Sequence, residues 1–390
     1  MAPPADTKHM PSFMASSLDL PGPYSLESVT RAALELRESL GRPASVAFAF
    51  ATPDFIPHLE EFCETIRVDG HVTHVLGCTA GGRIHGANEI ESGSGCSILA
   101  LACDVGEPQA LVSGSDFGHR KPSLSPNAWV LLANPYAFSS EDWLQDLNAK
   151  YPGVPCLGGL ASGGEEQNVA VFLNGRAVDA VLLPVTGKTS IISVLSQGCR
   201  PIGEPLTVTR AEHNVIYALG GNPAYRALES AFDSLSDSEK SHARGNLFAG
   251  LAGTEYVDDF KSGDFLIRNI IGADPDTGAV VIGAIPRVGQ TLQYQLRDCN
   301  VADADLDRAL GEAPICGARP FAALLFSCLG RGSKFFGGPN HDAIRLSTAI
   351  GDKPSVGFFC NGEIAPVAGR NAVHGHTAAA AIWGEKREFE

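Results

Sequence analysis

The stretch 321–363, FAALLFSCLGRGSKFFGGPNHDAIRLSTAIGDKPSVGFFCNGE, decides the class of fold. An apolar run at 321–326 is followed by a glycine-rich turn, a helix-like segment at 343–350 and a second apolar run at 356–359. Two apolar strands joined by a helix are typical of a βαβ unit, in which the strands run parallel and the helix covers one face. The stretch therefore predicts an α/β fold.

The same unit occurs twice more, nearer the N-terminus. Its strands lie at 46–50 and 72–76 in the first copy, and at 129–133 and 154–157 in the second. Hairpin-like apolar runs lie between the copies and favour antiparallel pairing as well. We therefore predict an α/β (α+β) fold of two packed domains, with mixed sheets built from three βαβ-like units plus antiparallel hairpins.

Composition changes along the chain predict how it divides. Residues 1–24 have no apolar segment of the kind found in a secretory signal and are expected to form a flexible N-terminal tail. A strand-rich middle gives way to a new helix at about 223–235, so we place the two domains at 25–203 and 204–390. Three runs in the second domain predict an antiparallel meander: 265–271, 280–285 and 291–296.

Charge and cysteine content exclude several classes of protein. The chain has 29 basic and 44 acidic residues, a net charge of −15, which disfavours binding to nucleic acid or to an anionic membrane surface. No apolar run approaches the roughly 18 residues of a membrane-spanning helix, so no membrane insertion is expected. The ten cysteines include no CxxC pair and are interpreted as reduced thiols of a cytoplasmic protein.

No short motif indicates a cofactor or a metal. The segment Gly187-Lys188-Thr189 lacks the earlier glycine of a phosphate-binding loop, and neither a dinucleotide fingerprint nor a nucleophile elbow occurs. His374 and His376 have no third metal ligand nearby in the sequence. We therefore predict no cofactor and no metal.

Three segments in the last 70 residues resemble a known family. They are the turn FSCLGRG at 326–332, the strand and turn GFFCNGEIAP at 357–366, and HGHT at 374–377. Together they are similar to the C-terminal half of the FIST family, the F-box and intracellular signal transduction domains. Earlier segments resemble the N-terminal half and the middle of that family: 77–82, 158–161, 197–203 and 265–270.

The resemblance covers roughly residues 42–383 and implies a stand-alone protein with FIST N and FIST C domains. It implies a small-molecule sensory protein whose ligand is an amino acid or a related carboxylate, and it leans away from an enzyme. A protein partner for signal output is also implied. The candidate ligand-binding residues on the matching segments are Arg331, Gly332, Asn361, Glu363, Cys328, His374, Arg268, Asn269 and Thr79.

Two of these residues suit the charges of an amino acid. The guanidinium of Arg331 matches a carboxylate, and Glu363 can receive an ammonium group. Both follow strands of one βαβ unit, so we expect them to line the same concave site. The aromatic side chains available for the rest of the ligand are Phe335, Phe336 and Phe359. In the alternative interpretation Arg331 and Glu363 pair with each other as a structural clamp.

Cys328 suggests a second class of function. It ends a strand close to Arg331, and His374 or His376 could act as its base in a cysteine-dependent hydrolase or transferase. In the alternative interpretation Cys328 is a small buried apolar residue, like the cysteines at comparable strand ends. A third hypothesis is a protein-interaction adaptor, as in relatives that carry an F-box.

Overall fold

The computed structural model describes residues 13–113, 125–255, 260, 263–315 and 319–386. Each of the three predicted βαβ units is present, with its two strands parallel and adjacent. These strands are β2 (Ala44–Ala51) with β3 (Val72–Thr79), β8 (Ala128–Ala133) with β9 (Cys156–Leu160), and β21 (Pro320–Cys328) with β22 (Ser355–Cys360). The predicted α/β fold with mixed sheets is therefore confirmed.

Each unit lies inside a six-stranded mixed sheet. Sheet I has the order β1 (Met14–Pro21), β6 (Gly95–Ala102), β2, β3, β10 (Val171–Leu173), β11 (Arg176–Val178). Sheet II has the order β24 (Arg370–His374), β23 (Gly362–Val367), β9, β8, β12 (Ala180–Val185), β7 (Gln109–Leu111). Sheet III has the order β13 (Thr189–Ser196), β25 (Ala378–Glu385), β21, β22, β4 (Arg83–His85), β5 (Asn88–Ile90).

The three sheets share one apolar core. At its centre Phe50 of sheet I lies 4.7 Å from Phe358 and 6.4 Å from Phe326 of sheet III, measured between ring centroids. Each of these side chains is buried, and burying one contributes about 1.5–3 kcal/mol to stability. Val130 and Leu132 of sheet II belong to the same buried cluster as these three rings. The alternating apolar residues of each strand thus face a common interior.

Helices cover the outer faces of the three sheets. Sheet I packs against α1 (Leu26–Leu40) and α2 (Leu59–Val68), which a 3₁₀ turn at Pro53–His58 precedes. Sheet II packs against α3 (Ser140–Lys150). Sheet III packs against α6 (Cys299–Glu312) and α8 (His341–Ile350), which follows the single turn α7 (Ser333–Phe336). A second short 3₁₀ turn lies at Glu166–Asn168.

The middle of the chain forms a closed barrel. Its strands, in order round the ring, are β14 (Cys199–Glu212), β20 (Thr291–Arg297), β17 (Leu247–Ala252), β18 (Phe265–Asp274), β19 (Ala279–Ile282) and β15 (Val215–Leu219). Pairing of β15 with β14 closes the ring, and the short β16 (Asn222–Pro223) lies beside β15. The helices α4 (Ala224–Asp233) and α5 (Asp237–Ala243) follow, and both contribute to the apolar core of the barrel.

The barrel corrects the predicted meander. Strands β18 and β19 pair antiparallel as expected, but β20 pairs with β14 and β17 and not with β19. Closure explains the difference, because a ring removes the exposed edges that a simple meander would leave. Three adjacent apolar runs in a sequence do not distinguish the two arrangements.

The expectation of a loose tail is wrong for residues 14–21. They form β1, which pairs antiparallel with β6 from Met14 opposite Ala102 to Pro21 opposite Gly95. Alternate side chains along β1 are buried, including Leu18 and Leu20. This period of two is typical of a half-buried strand. Residues 1–12 lie outside the described chain.

The N-terminal and C-terminal parts of the chain exchange strands. The hairpin β4–β5 pairs with β22 in sheet III, with His85 opposite Val356. In return β23 pairs with β9 in sheet II, with Glu363 opposite Gly159. Strand β13 likewise pairs with β25. Neither part therefore contains all the strands of its own sheets.

We expect this exchange to make unfolding cooperative. Scanning calorimetry of the whole chain should give a single transition, because removing either part leaves unpaired strands in sheets II and III. Expressed alone, residues 1–203 should lack a folded circular-dichroism spectrum and a cooperative transition. Two well-separated transitions, with this fragment folded by itself, would contradict the prediction.

Within the described ranges, no helix combines the length and the apolar character needed to cross a membrane.

Candidate functional site

The candidate site lies where the barrel meets the ends of sheet III. Cys328 and Cys360 end β21 and β22 in register with each other. The backbone N–H of Cys328 donates to the carbonyl of Thr377 at 2.9 Å, and that of Leu329 donates to the carbonyl of Cys360 at 3.0 Å. These bonds hold three chain segments together at one edge of the sheet, the edge at which open α/β sheets place ligands.

Arg331, just beyond β21, is fully buried and paired with Asp342 at the start of α8. Its Nε and Nη2 donate to the Asp342 carboxylate at 2.7 and 2.8 Å. Ser327 Oγ donates to the same carboxylate at 2.9 Å. Despite burial, the Arg331 charge holds the pKa of Asp342 well below its usual range. The bidentate partner of Arg331 is therefore Asp342, and not Glu363 as in the predicted clamp.

Two glycines are required beside Arg331. Gly198 has φ +65°, and a Cβ at that position would lie 3.0 Å from Arg331 Nη1 and 2.9 Å from the Cβ of Ala302. Gly332 has φ +101°, and its Cβ would lie 3.1 Å from the carboxylate of Glu91. Both conformations favour glycine. Any larger residue at 198 would crowd the third nitrogen of the guanidinium.

The hairpin β4–β5 fixes the helices around this ion pair. Glu89 Oε1 accepts from the backbone N–H groups of Asp342 and Ala343, at 2.8 and 3.0 Å, at the start of α8. Glu91 accepts from the N–H and the hydroxyl of Ser333, at 2.7 and 2.9 Å, at the start of α7. Carboxylates at these positions satisfy otherwise unpaired N–H groups. The position of Asp342 thus depends on a hairpin from the other part of the chain.

Arg297 reaches the same place from the barrel. It ends β20, and its Nη2 donates to the carbonyl of Gly330 at 2.7 Å. Its guanidinium carbon lies 3.9 Å from the centroid of the Phe335 ring, a cation–π contact. Its charge acts on both Cys328 and Glu363. The barrel therefore contributes a second cation to the site.

Glu363 is fully buried on β23, and within the described part of the chain only one of its oxygens is hydrogen-bonded. Oε2 accepts from the hydroxyl and the backbone N–H of Thr377, at 2.7 and 3.2 Å. Burial raises the pKa of the Glu363 carboxyl to about 8, although Thr377, Arg331 and Arg297 act in the opposite direction. The carboxyl is therefore mostly protonated at neutral pH.

His376 lies beside these groups in a left-handed backbone conformation, with φ +63°. Its Nε2 is 3.0 Å from Asn269 Oδ1 on β18, and its ring centroid is 4.2 Å from that of Phe248 on β17. Burial, with a smaller effect of Arg297, lowers the pKa of His376 to about 4. The imidazole is therefore neutral at pH 7, and two barrel strands fix its orientation.

Four buried polar atoms of these residues have no hydrogen-bond partner among the described residues. They are Arg297 Nε, Arg331 Nη1, Glu363 Oε1 and His376 Nδ1. A buried polar atom left without a partner costs about 1–3 kcal/mol, so four on residues close enough for the arginine charges to act on Glu363 and His376 need an explanation. Two cationic donors, one titratable carboxyl and one imidazole nitrogen can together bind a small polar anion.

Cys328 lies in this cluster with a protonated thiol. Burial, followed by the Glu363 carboxyl, raises the pKa of the thiol to about 12, although Arg297 acts in the opposite direction. The backbone N–H of Gly330 donates to its Sγ at 3.4 Å. A thiol with this pKa is a weak nucleophile at neutral pH.

Two further predicted residues, His374 and Arg268, have their hydrogen bonds to other described residues. His374 Nε2 donates to the carbonyl of Ala365 at 3.0 Å, and burial lowers the pKa of His374 to about 4. Arg268 donates to the carbonyl of Val373 at 3.1 Å and to the carboxylate of Glu141 at 3.0 Å. Arg268 therefore links the barrel to sheet II and α3, whereas His374 bonds within sheet II.

The remaining predicted residues bond elsewhere. Thr79 Oγ1 accepts from the backbone N–H of Ala170 at 3.0 Å, and the exposed Asn361 donates to the carbonyl of Ala161 at 2.9 Å. Gly332 begins α7. Of the predicted aromatic residues, Phe335 and Phe336 pack on guanidinium groups, of Arg297 and Arg331, and Phe359 lies in the core between sheet III and its helices.

Neither Arg297 nor Asp342 was predicted from the sequence. Arg297 ends an alternating strand, LQYQLR, directly before the N-cap Asp298 of α6. A charged residue at such a strand end is a feature by which the sequence could have indicated a site residue. Asp342 follows the glycine-rich segment by only a few residues. Its pairing with Arg331 depends on how α8 packs, which sequence spacing does not reveal.

The chain matches two family models. The model of the FIST N domain matches residues 45–222, and that of the FIST C domain matches residues 224–366. An uncharacterized protein of Mycobacterium tuberculosis (strain CDC 1551 / Oshkosh) is 35% identical over 375 residues, covering 91% of this chain and 96% of the relative. An uncharacterized protein of Mycobacterium bovis (strain ATCC BAA-935 / AF2122/97) is 35% identical over 327 residues, covering 80% of this chain and 84% of the relative.

Proposed function

Since the chain belongs to the FIST family, whose domains are sensory domains of signal transduction, we propose that it is a cytoplasmic sensor of small carboxylates, amino acids included. The observation that carries the proposal is the cluster of four partnerless buried polar atoms between the barrel and sheet III. Two of them, Arg297 Nε and Arg331 Nη1, are guanidinium donors. A carboxylate satisfies such donors with charge-assisted hydrogen bonds.

The charge balance supports an anionic ligand. Asp342 neutralises Arg331, and Glu363 is mostly protonated because its pKa is about 8. Among the groups of the cluster, the charge of Arg297 then has no ionised partner at neutral pH, since its Nη2 is bonded to a neutral carbonyl. A carboxylate supplies the missing negative charge.

The site also supports an output that depends on ligand. Arg297, Asn269 and Phe248 belong to the barrel, whereas Arg331, Glu363 and the segment of His376 adjoin sheets II and III. A ligand that contacts both the barrel and the sheets stabilises one arrangement of the two over another. The equilibrium shifts by the difference between its binding free energies for the two arrangements. A protein partner that distinguishes these arrangements would receive the signal.

Arg297→Gln should weaken binding of a carboxylate roughly 10- to 100-fold, because a charge-assisted hydrogen bond contributes about 1.5–3 kcal/mol. A thermal-shift screen of amino acids, hydroxy acids and simple carboxylates identifies the acid that binds best, and calorimetry then gives its affinity for each variant. The matched control is Arg308→Gln on α6, where the side chain is 50% exposed and pairs only along its own helix. Equal losses in both variants, or none in either, would contradict the proposal.

A further inference from the structure

His376 adjoins Cys328 and Arg297 of the carboxylate site and has one ring nitrogen without a partner among the described residues. Asn269 Oδ1 can only accept a hydrogen bond, so the proton of the neutral imidazole is on Nε2, which donates to it at 3.0 Å. Nδ1 then carries a lone pair, and it is buried without a partner in the described part of the chain. The ring is therefore a fixed acceptor.

The backbone of His376 has an uncommon conformation. His376 has φ +63°, a conformation that is uncommon for residues other than glycine and that costs free energy. Packing on Phe248 and the bond to Asn269 keep the ring in place. Strain of this kind is frequent where a side chain must point at a ligand.

The charges decide which donor group suits Nδ1. An ammonium group would lie near two guanidinium groups, and the Asp342 carboxylate beside them is already bonded to Arg331, Ser327 and His341. Glu363 Oε2 is occupied by Thr377, and its Oε1 would have to lose a proton to attract a cation. A neutral hydroxyl donates to Nδ1 with no such cost.

We propose that the site selects α-hydroxy carboxylates, with the carboxylate on Arg297 and Arg331 and the α-hydroxyl donating to His376 Nδ1. The inference rests on the proposed function and narrows its ligand class. It favours hydroxy acids over the amino acids of equal size at neutral pH. Protonated Glu363 keeps a free O–H on Oε1 that can donate to the ligand as well.

Matched sets of acids test the inference by calorimetry at pH 7. Each set holds a simple acid, its α-hydroxy acid and its α-amino acid: propanoate, lactate and alanine; phenylpropanoate, phenyllactate and phenylalanine; succinate, malate and aspartate. In the set that fits, the hydroxy acid should bind roughly tenfold more tightly than the simple acid. The amino acid should bind no better than the simple acid.

His376→Asn should remove this preference while keeping the backbone, because asparagine tolerates positive φ. The hydroxy acid should then bind only as well as the simple acid. His71→Asn is the matched control, since His71 is exposed, has φ +53° and lies at the far end of sheet I. If His376→Asn does not fold, Asn269→Leu provides the second variant, because it removes the acceptor that fixes the proton on Nε2.

The outcomes separate the two proposals. If simple and hydroxy acids bind equally, and both lose affinity in Arg297→Gln, the carboxylate site stands and the hydroxyl inference is wrong. Tighter binding of the amino acid at pH 7, or an unchanged preference in His376→Asn, also overturns it. If no acid of any set binds, the proposed function fails and the inference fails with it.

Discussion

Asp342→Asn should destabilise the free protein by about 3–5 kcal/mol, because it leaves the fully buried Arg331 without a counter-charge. The asparagine keeps the size of the side chain, so the loss reports charge and hydrogen bonding and not a cavity. Denaturant unfolding followed by circular dichroism measures it, with the free energy of unfolding extrapolated to water.

Asp307→Asn is the matched control. Asp307 is 51% exposed and pairs with Arg345 at 3.1 Å, and an exposed pair contributes about 0–1 kcal/mol. Replacing both buried partners, as in Asp342→Leu with Arg331→Met, should recover much of the stability. A loss below about 1 kcal/mol in Asp342→Asn would show that the buried Arg331–Asp342 pair does not stabilise the folded protein as predicted.

Glu363→Gln should stabilise the protein increasingly as the pH rises. The pKa of Glu363 is raised from its ordinary 4.5 to about 8 in the folded chain. Between these values the folded state holds a proton that the unfolded state releases, so the free energy of unfolding of the wild type falls by about 1.4 kcal/mol per pH unit. Glutamine resembles the protonated acid and does not titrate, so the variant escapes this loss.

Stability curves at pH 5, 6.5 and 8 measure the effect, and the advantage of the variant should grow by roughly 3.5 kcal/mol across that range, because the slope falls to half at pH 8. The charges that act on Glu363 are those of Arg297 and Arg331, and the nearby Cys328 thiol has a pKa of about 12, so none of them titrates in this window. His374 and His376 titrate alike in both proteins and cancel in the difference.

Glu229→Gln, at an exposed position of α4, is the control and should leave the dependence of stability on pH unchanged. A stability difference between Glu363→Gln and the wild type that stays constant with pH would contradict the prediction.

The local signals in the sequence were enough to predict the βαβ units. Apolar segments such as 44–51 and 72–79 are bounded by turn residues, and this pattern depends only on residues that are neighbours in the sequence. Both segments form largely buried strands. The exchange of β4–β5 and β23 between sheets was not predictable in this way, because short strands such as Arg83–His85 carry little pattern. The division at residues 203/204 remains a proposal, although the FIST N and FIST C matches meet nearby.

The candidate site was predictable where one βαβ unit supplies it. Arg331 and Glu363 were expected at one sheet edge because both follow parallel strands of one βαβ unit, β21 and β22. Arg297 was not predictable, since its approach depends on how the barrel closes and packs against sheet III. The bidentate partner of Arg331 was likewise set by tertiary packing, as α8 brings Asp342 to the guanidinium.

The most direct test of the carboxylate site is a crystal structure of the protein with the acid that binds best in the thermal-shift screen. We expect its carboxylate within about 2.7–3.2 Å of both Arg297 Nε and Arg331 Nη1, between the barrel and sheet III. An acid bound elsewhere, with these two nitrogens still lacking an anionic partner, would contradict it.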